Sequence, residues 1–425
     1  MQRPSLIVKK EVTSLGVPTS QDGISLLVVS APTTYTDNVS NDPPTIEDFV
    51  FTSLKGAEDV GITAAADLSN NVLVWEHVKD FFALANGTTL HVLFVPATTT
   101  LAQLFTDSEA SNTTLKAYLQ KQAGEIKLLG VALNPDYAED HTTAVSTDLQ
   151  AAIPLANTFA DKQFNRSRPI EVILENRKFS GAATAAADLR GLNSGNVMVV
   201  SSRDANRSAK LTTDGHTGAA TFAALGLALG KAASIQVNQN IGRLTVPPLF
   251  QTKDNLPVEA VEFSGGASLN TFTDEDLNLL HNKGYTFIDR YAGYSGFYFV
   301  NDNTCEDATK SNSRLSLNRV ANKAARITRA TFLNFLKATI QVDGSTGQLL
   351  PSVVERFKDV INRAITDEML ENPDPTRLPE ISSVEISIDP TQNVLSTKKV
   401  VINQSIVPTG SVDVIETIIS LDNPS

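Results

Sequence analysis

The chain has 425 residues, a formal net charge of −12 at pH 7 and 41% hydrophobic residues, enough apolar material for two or three folded domains. Its single cysteine, Cys305, excludes an internal disulfide and a Cys-based zinc site. The acidic balance argues against general nucleic-acid binding, and no run of about 18 apolar residues indicates a membrane span.

The first predicted element is a short extended segment at residues 5–12, which lies between Pro4 and the breaker Gly16. From residue 23 onward, apolar strands alternate with helical stretches. The predicted strands cover residues 24–30, 90–96, 126–133, 170–174 and 197–201, and the predicted helices include 115–123 and 147–164. Strands that are apolar nearly throughout are typical of a largely parallel sheet covered on both faces. Residues 23–245 are therefore interpreted as an α/β domain.

Residues 218–300 are predicted to form two helices followed by a hairpin. An Ala- and Gly-rich stretch at residues 218–233 predicts a close-packed, buried helix. Thr273 is a good N-cap for a helix at 274–283, because acidic residues follow in its first turn. A hairpin is predicted after it, with strands at residues 286–290 and 296–300 joined by a glycine-rich turn.

A cationic segment follows, and it is unusual for an acidic chain. No carboxylate lies between Asp307 and Asp343, and a helix is predicted over residues 317–340. The cations that share one stripe of this helix are Arg319, Lys323, Arg326 and Arg329. An exposed face usually mixes both signs of charge, so an acid-free stripe favours an anionic partner. The alternative is that these cations meet carboxylates elsewhere in the same fold.

The C-terminal part is predicted to hold a second amphipathic helix, at residues 353–370 after Pro351, and then strands at 383–388, 400–406 and 412–421. The last strand becomes continuously apolar close to the C-terminus, where chains are usually polar. Such a segment must pair, either within its own sheet or with a neighbouring subunit. The extended segment near the N-terminus raises the same question.

Motifs for catalysis are absent from the sequence. The stretch 226–231 lacks the first glycine and the final Ser or Thr of a phosphate loop. Residues 293–297 fail the nucleophile-elbow pattern, because Phe297 replaces its last glycine. We therefore expect no catalytic, cofactor-binding or metal-binding residues, and no cofactor.

The C-terminal half resembles the tail sheath proteins of contractile phage tails and related injection machines, in a divergent branch. The resemblance rests on an ordered series of segments. In chain order these are Lys283-Gly284-Tyr285 before the hairpin, the helix that opens at Leu315, the helix at 350–369, the segment 386–394, the strand 400–406 and the segment 407–413. The chain lacks the Trp-Gly-Ala-Arg-Thr motif of well-known phage sheaths and reads Gly-Phe-Tyr-Phe-Val-Asn-Asp at 296–302.

The resemblance implies a fold in which an outer α/β domain is inserted into a sheath-type α+β core with extended terminal β-arms. Residues 1–22 would be an N-terminal arm, 23–245 the outer domain, 246–410 the C-terminal core and 411–425 a C-terminal arm. The arm residues that would add strands to neighbouring subunits are Leu6, Val8, Val12, Val412, Val414, Ile415, Ile418 and Leu421. The four stripe cations would contact the inner tube.

The resemblance also implies a function without catalysis. Copies of the chain would polymerise helically around an inner tube and contract to drive it through a target envelope. Other implied partners are baseplate and terminator proteins, with neither nucleic acid nor direct membrane insertion. The particle would be a virion tail or a contractile injection machine assembled in the bacterial cytoplasm.

Two other hypotheses stay open at this point. An enzyme on a doubly wound α/β domain would place ligands at the carboxyl ends of strands, near Ser30, Pro96 or Asn134. A secreted adhesive or surface-layer protein would fit the abundant Thr, Asn and Ser, but it would need an export signal. Residues 1–16 do not resemble one, because their apolar stretch is too short.

Overall fold

The computed structural model describes residues 21–31, 49–106, 114–133, 144–216, 221–244, 249, 260–371 and 378–413. The fold is mixed α/β, with a central sheet of seven strands and helices packed around it. None of the helices in these ranges is long and apolar enough to span a membrane.

The central sheet has the strand order β11-β6-β5-β4-β1-β3-β2. Its strands are β1 (Ser25–Ala31), β2 (Phe49–Phe51), β3 (Leu90–Pro96), β4 (Leu128–Ala132), β5 (Glu171–Glu175), β6 (Ser194–Val200) and β11 (Thr304–Cys305). The five central strands are parallel, and β2 and β11 add antiparallel edges. All residues of β4 and β5 are buried, so both faces of the sheet are covered, as the nearly apolar stretches 90–95 and 170–174 predicted.

Helices occupy both the connections between these strands and the regions beyond them. They are α1 (Leu54–Asp59), α2 (Ala64–Asn70), α3 (Val74–Ala85), α4 (Leu101–Phe105), α5 (Thr114–Lys121), α6 (Thr147–Asn165), α7 (Ala205–Thr213), α8 (Leu225–Ser234) and α9 (Asp274–Asn282). Two short strands, β7 (Ser202–Asp204) and β8 (Val261–Phe263), pair antiparallel. The predicted hairpin is present as β9 (Ile288–Asp289) and β10 (Tyr298–Phe299).

The C-terminal part forms a separate layer against the sheet. It contains α10 (Leu315–Phe332), α11 (Pro351–Ile365), the short α12 (Val394–Thr397) and a two-stranded antiparallel sheet of β12 (Ile381–Ser387) and β13 (Asn403–Pro408). Helix α10 joins the two parts. Its first residue, Leu315, packs in the core of the large sheet, whereas Val320 and Ala324 pack in a second core with Ile361 of α11.

Most of the predicted elements are confirmed, and α10 shows the largest difference. The helix was predicted to reach residue 340, but it ends at Phe332 and is followed by a tight turn over Leu333–Phe335. Lys337 then has a φ of 63°, a conformation that a helix cannot include. The domain boundary expected at residue 245 stays a prediction. The hydrophobic core of the large sheet includes residues beyond that position, among them Cys305 and Leu315.

Candidate assembly surfaces

The cations of α10 do not form one exposed stripe in the folded chain. Arg319 is only 4% exposed, and its guanidinium lies 3.3 Å from the carbonyl oxygen of Ile235 and 3.5 Å from that of Gln236. These carbonyls follow the last residue of α8, where the helix dipole favours a positive charge. Arg319 is therefore a buried side chain that binds carbonyl groups of its own chain.

Lys323 and Arg326 are paired with carboxylates from distant parts of the chain. The Lys323 ammonium lies 3.2 Å from Asp22 Oδ2 and 2.7 Å from Glu380 Oε2, and Arg326 Nη2 lies 2.5 Å from Asp22 Oδ1. Burial raises the pKa of Asp22, but Lys323 and Arg326 more than offset it, so this pKa lies below its usual value. Here the alternative reading, that the cations meet carboxylates within the fold, describes the contacts.

A fully buried carboxylate extends this network toward the sheet. Glu171, at the start of β5, accepts a hydrogen bond from the side-chain amide of Asn322 on α10. Burial raises the pKa of Glu171 well above its usual value, while the positive charges of Arg319 and Arg326 oppose the shift. Helix α10 is thus fastened to the sheet by a polar contact as well as by apolar packing.

Arg329 is the exposed member of the four. Its guanidinium donates a 2.7 Å hydrogen bond to Ser167 Oγ. It lies in a groove of about 460 Å³, and the charged residues that line this groove are Lys116, Arg166, Arg168 and Arg329. All four of these are cations, and Lys116, Arg166 and Arg168 also make contacts with other groups. The predicted tube contact of Arg319, Lys323, Arg326 and Arg329 stays a prediction.

The base of the predicted C-terminal arm is held by an ion pair. Arg314, immediately before α10, donates to Ser411 Oγ at 3.0 Å and contacts both carboxylate oxygens of Asp413. Val412 between them is 76% exposed. The other predicted arm residues lie outside the described residues, namely Leu6, Val8, Val12, Val414, Ile415, Ile418 and Leu421.

The small sheet of β12 and β13 offers an edge for strand addition. One face packs on α10 and α11 through Val384, Ile386 and Ile406, while Ser383 and Ser405 are exposed on the other face. Within the described ranges, each of its two strands has only the other as a neighbour, so two edges are open. Strand β12 contains neither Lys nor Pro, the residues that commonly block edge pairing.

The enzyme hypothesis places a ligand at the carboxyl edge of the large sheet. The N-terminus of α4, where a ligand phosphate would bind, is capped by Asp148, which accepts hydrogen bonds of 2.7 Å and 3.1 Å from Leu101 N and Ala102 N. Arg177 is also engaged, because it donates to Leu133 O at 3.2 Å and Thr221 Oγ1 at 2.9 Å. The cavity beside these groups measures about 20 Å³, which is room for about one water molecule.

Of the residues named for that hypothesis, Ser30 is buried and Pro96 is exposed, while Asn134 lies outside the described residues. Cys305 is fully buried, and burial raises the pKa of its thiol, which makes it unreactive as a nucleophile.

Sequence reasoning missed the acidic partners of α10, which are Asp22, Glu171 and Glu380. Their contacts join residues up to 304 positions apart, and local patterns do not indicate such contacts. The one available signal was the acid-free segment itself, since cations with no acid on their own helix need acids from elsewhere.

Comparisons with known proteins identify a family and a set of structures with a similar fold. The DUF2586 N-terminal and C-terminal domain models match residues 4–303 and 314–425. The contracted helical sheath of the anti-feeding prophage is similar with a TM-score of 0.58 at 12% identity, covering 99% of this chain and 100% of that chain. A baseplate structure of the same prophage reaches a TM-score of 0.56 at 12% identity, covering 99% of each chain.

A third similar structure is the contracted PVC sheath complex of an extracellular contractile injection system, with a TM-score of 0.56 at 13% identity over 99% of this chain and 98% of that chain. No curated protein matches the sequence. The resemblance inferred from the sequence is therefore confirmed at the level of the fold, which is that of contractile sheath proteins.

Proposed function

The chain belongs to the DUF2586 family, and from that premise we propose that it is a structural subunit of a contractile sheath. Copies polymerise helically around an inner tube and contract to drive the tube through a target envelope. The observation that carries this proposal is the likeness in fold to contracted sheaths over nearly the whole chain. The energy for contraction is a difference between two lattice packings set at assembly, so no nucleotide or catalytic residue is required.

Neighbouring subunits are joined by strand exchange through the terminal segments in this proposal. Leu6, Val8 and Val12 would form one arm, and the strand at 412–421 the other. The open edges of β12 and β13 support this, because a strand from another copy adds main-chain hydrogen bonds there without displacing any described strand. Side chains alternate along β12, with Val384 and Ile386 facing inward and Ser383 facing outward. This alternation fixes the register in which an added strand pairs with β12.

The inner tube is the second partner, and it is contacted electrostatically. Of the four cations predicted for this contact, Arg329 is the one whose side chain is exposed. Exposed ion pairs of this kind are individually weak, about 0–1 kcal/mol each, so they release when the sheath shortens. Arg319, Lys323 and Arg326 lie beneath this surface and hold helix α10 in position through their contacts within the fold.

The remaining partners follow from the same assembly. Other copies of the chain form stacked rings. Baseplate and terminator proteins lie at the two ends of the sheath. The particle is a virion tail or a contractile injection machine assembled in the bacterial cytoplasm.

Deletion of residues 414–425 tests the strand-exchange step. We expect a variant that unfolds at the same temperature as the full chain but sediments as a monomer at concentrations where the full chain forms large assemblies. A Gly/Ser segment of equal length in place of 414–425 is the matched control for chain length, and it should behave as the deletion does. Unfolding of the deleted monomer, or assembly identical to that of the full chain, would contradict strand exchange.

A further inference from the structure

Contacts at helix α10 reach the base of both predicted arms. Asp22 is the last residue of the predicted N-terminal arm, 1–22, and Asp413 lies near the start of the predicted C-terminal arm, 411–425. Asp22 is bound by Lys323 and Arg326 of α10, and Asp413 is bound by Arg314, the residue immediately before this helix. We propose that α10 is the common anchor of the two terminal arms and carries load from one arm to the other. This inference rests on the proposed function, since it assigns a role to arms that link subunits.

The N-terminal anchor is a partly buried cluster. The side chains of Asp22, Lys323 and Arg326 are 15–19% exposed, and Glu380, the second partner of Lys323, is 3% exposed. Gly23 adds a steric constraint, because a Cβ at this position would clash with the carbonyl oxygen of Ala233. The point at which the chain enters β1 is thus fixed by charge on one side and by close backbone contact on the other.

The C-terminal anchor is more exposed but geometrically specific. The two terminal nitrogens of Arg314 each contact a different oxygen of Asp413, a bidentate arrangement that sets orientation as well as distance. Arg314 itself is held in place, because the next two residues donate to Asp302, Leu315 N to its carbonyl oxygen at 2.9 Å and Ser316 N to its carboxylate at 2.8 Å. On its other side the segment 409–413 borders a groove of about 870 Å³.

The two anchors are connected beyond α10 by a short segment of backbone. Glu380, which binds Lys323 through its side chain, accepts a hydrogen bond of 3.2 Å from Thr409 N through its carbonyl oxygen. Thr409 Oγ1 also donates to Pro379 O at 2.7 Å. The path from Asp22 through Lys323, Glu380 and Thr409 therefore reaches the segment held by Arg314.

The helix is suited to carry load between these points. Arg314 and Arg326 are separated by about 18 Å along the axis, at 1.5 Å per residue. Between them α10 packs against both cores, through Leu315 on the sheet side and Val320 and Ala324 on the other. A displacement of either arm base is thus transmitted to the body of the subunit through one rigid element. The absence of acids from α10 leaves its cations available for these carboxylates.

Charge reversal at the C-terminal anchor tests the inference on the full-length protein. In Arg314→Asp we expect faster hydrogen–deuterium exchange at residues 409–413 of the monomer, and a five- to tenfold rise in the concentration needed for assembly. The swapped double variant, Arg314→Asp with Asp413→Arg, should restore both. The matched control is Arg363→Asp on α11, whose ion pair with Asp367 lies at the surface, and it should change neither.

Two results would overturn the anchor: unchanged exchange at residues 409–413 in Arg314→Asp, or a swapped variant that behaves like the single one. Asp22→Asn extends the test, with faster exchange expected at residues 21–25. If the wild-type chain never assembles while exchange at both bases responds as expected, the proposed function fails and the anchoring contacts stand. If the wild type assembles and Arg314→Asp assembles equally well, the load-carrying role fails and the sheath proposal stands.

Discussion

Lys323 shows how a residue that looks like part of an exposed cationic stripe becomes an internal connector. It lies between Asp22 and Glu380, which come from opposite ends of the chain. Burial raises the pKa of Glu380 even beside Lys323, whereas two cations hold that of Asp22 below its usual value. One lysine is therefore shared by two carboxylates in different electrostatic surroundings.

A single buried carboxylate should govern part of the pH dependence of stability. Burial raises the pKa of Asp67 to about 8 from 3.8, and its side chain has 0% exposure. Because the folded-state pKa lies above the unfolded one, the unfolded state loses this proton first, and stability falls as pH rises from about 4 to about 8. Asp67→Asn removes this contribution, so the stability of the wild type relative to the variant should fall by on the order of 1 kcal/mol per pH unit between pH 5 and 7.

Urea denaturation of both proteins at pH 5, 6 and 7 measures this difference. Asp59→Asn is the control, because Asp59 is exposed in its pair with Lys55 and its replacement should leave the pH dependence unchanged. If the difference in the free energy of unfolding between wild type and Asp67→Asn stays constant over this pH range, Asp67 is ionised in the folded protein.

Helices α3 and α8 pack closely enough to require glycine at two positions. A Cβ on Gly226 would clash with the backbone of His77, and one on Gly230 would lie 2.7 Å from Phe81 O. Replacing a helical glycine by alanine usually stabilises a protein by about 0.5–1 kcal/mol. Here Gly226→Ala and Gly230→Ala should instead each destabilise it by about 1–3 kcal/mol, since the helices must separate.

Chemical denaturation of the two variants checks this, with Gly56→Ala in α1 as the control. The nearest atom to a Cβ on Gly56 is 3.6 Å away, so this substitution should be neutral or stabilising. Equal stability gains at Gly56 and Gly230 would mean that α3 and α8 are not in close contact.

The elements that local patterns predicted well are those whose signals are contained in a few neighbouring residues. Thr273 caps α9 through a capping box with Asp276, and β5 was recognisable from its consecutive apolar residues Val172, Ile173 and Leu174. The end of α10 was missed, because the turn near Lys337 has no Gly or Pro to mark it. The small strand β11, two residues long, joins the sheet far from its sequence neighbours and has no periodicity to reveal it.

On the scale of the whole molecule, the parallel strand order β3-β1-β4-β5-β6 is that of a doubly wound sheet, a framework that often supports enzymes. In this chain Asp148 and Arg177 occupy part of the described carboxyl edge, and the layer around α10 carries a further set of charged contacts. The sequence predicted the sheath-type fold through the C-terminal segments. It could not predict which cations are buried, because their partners come from the far end of the chain.

Electron microscopy of the purified, concentrated full-length protein tests whether the chain assembles into a sheath. We expect hollow helical tubes of constant diameter, formed without nucleotide, in which the terminal segments of each copy pair with neighbouring copies. Compact monomers or dimers that persist at high concentration, even after addition of an inner-tube protein, would contradict it.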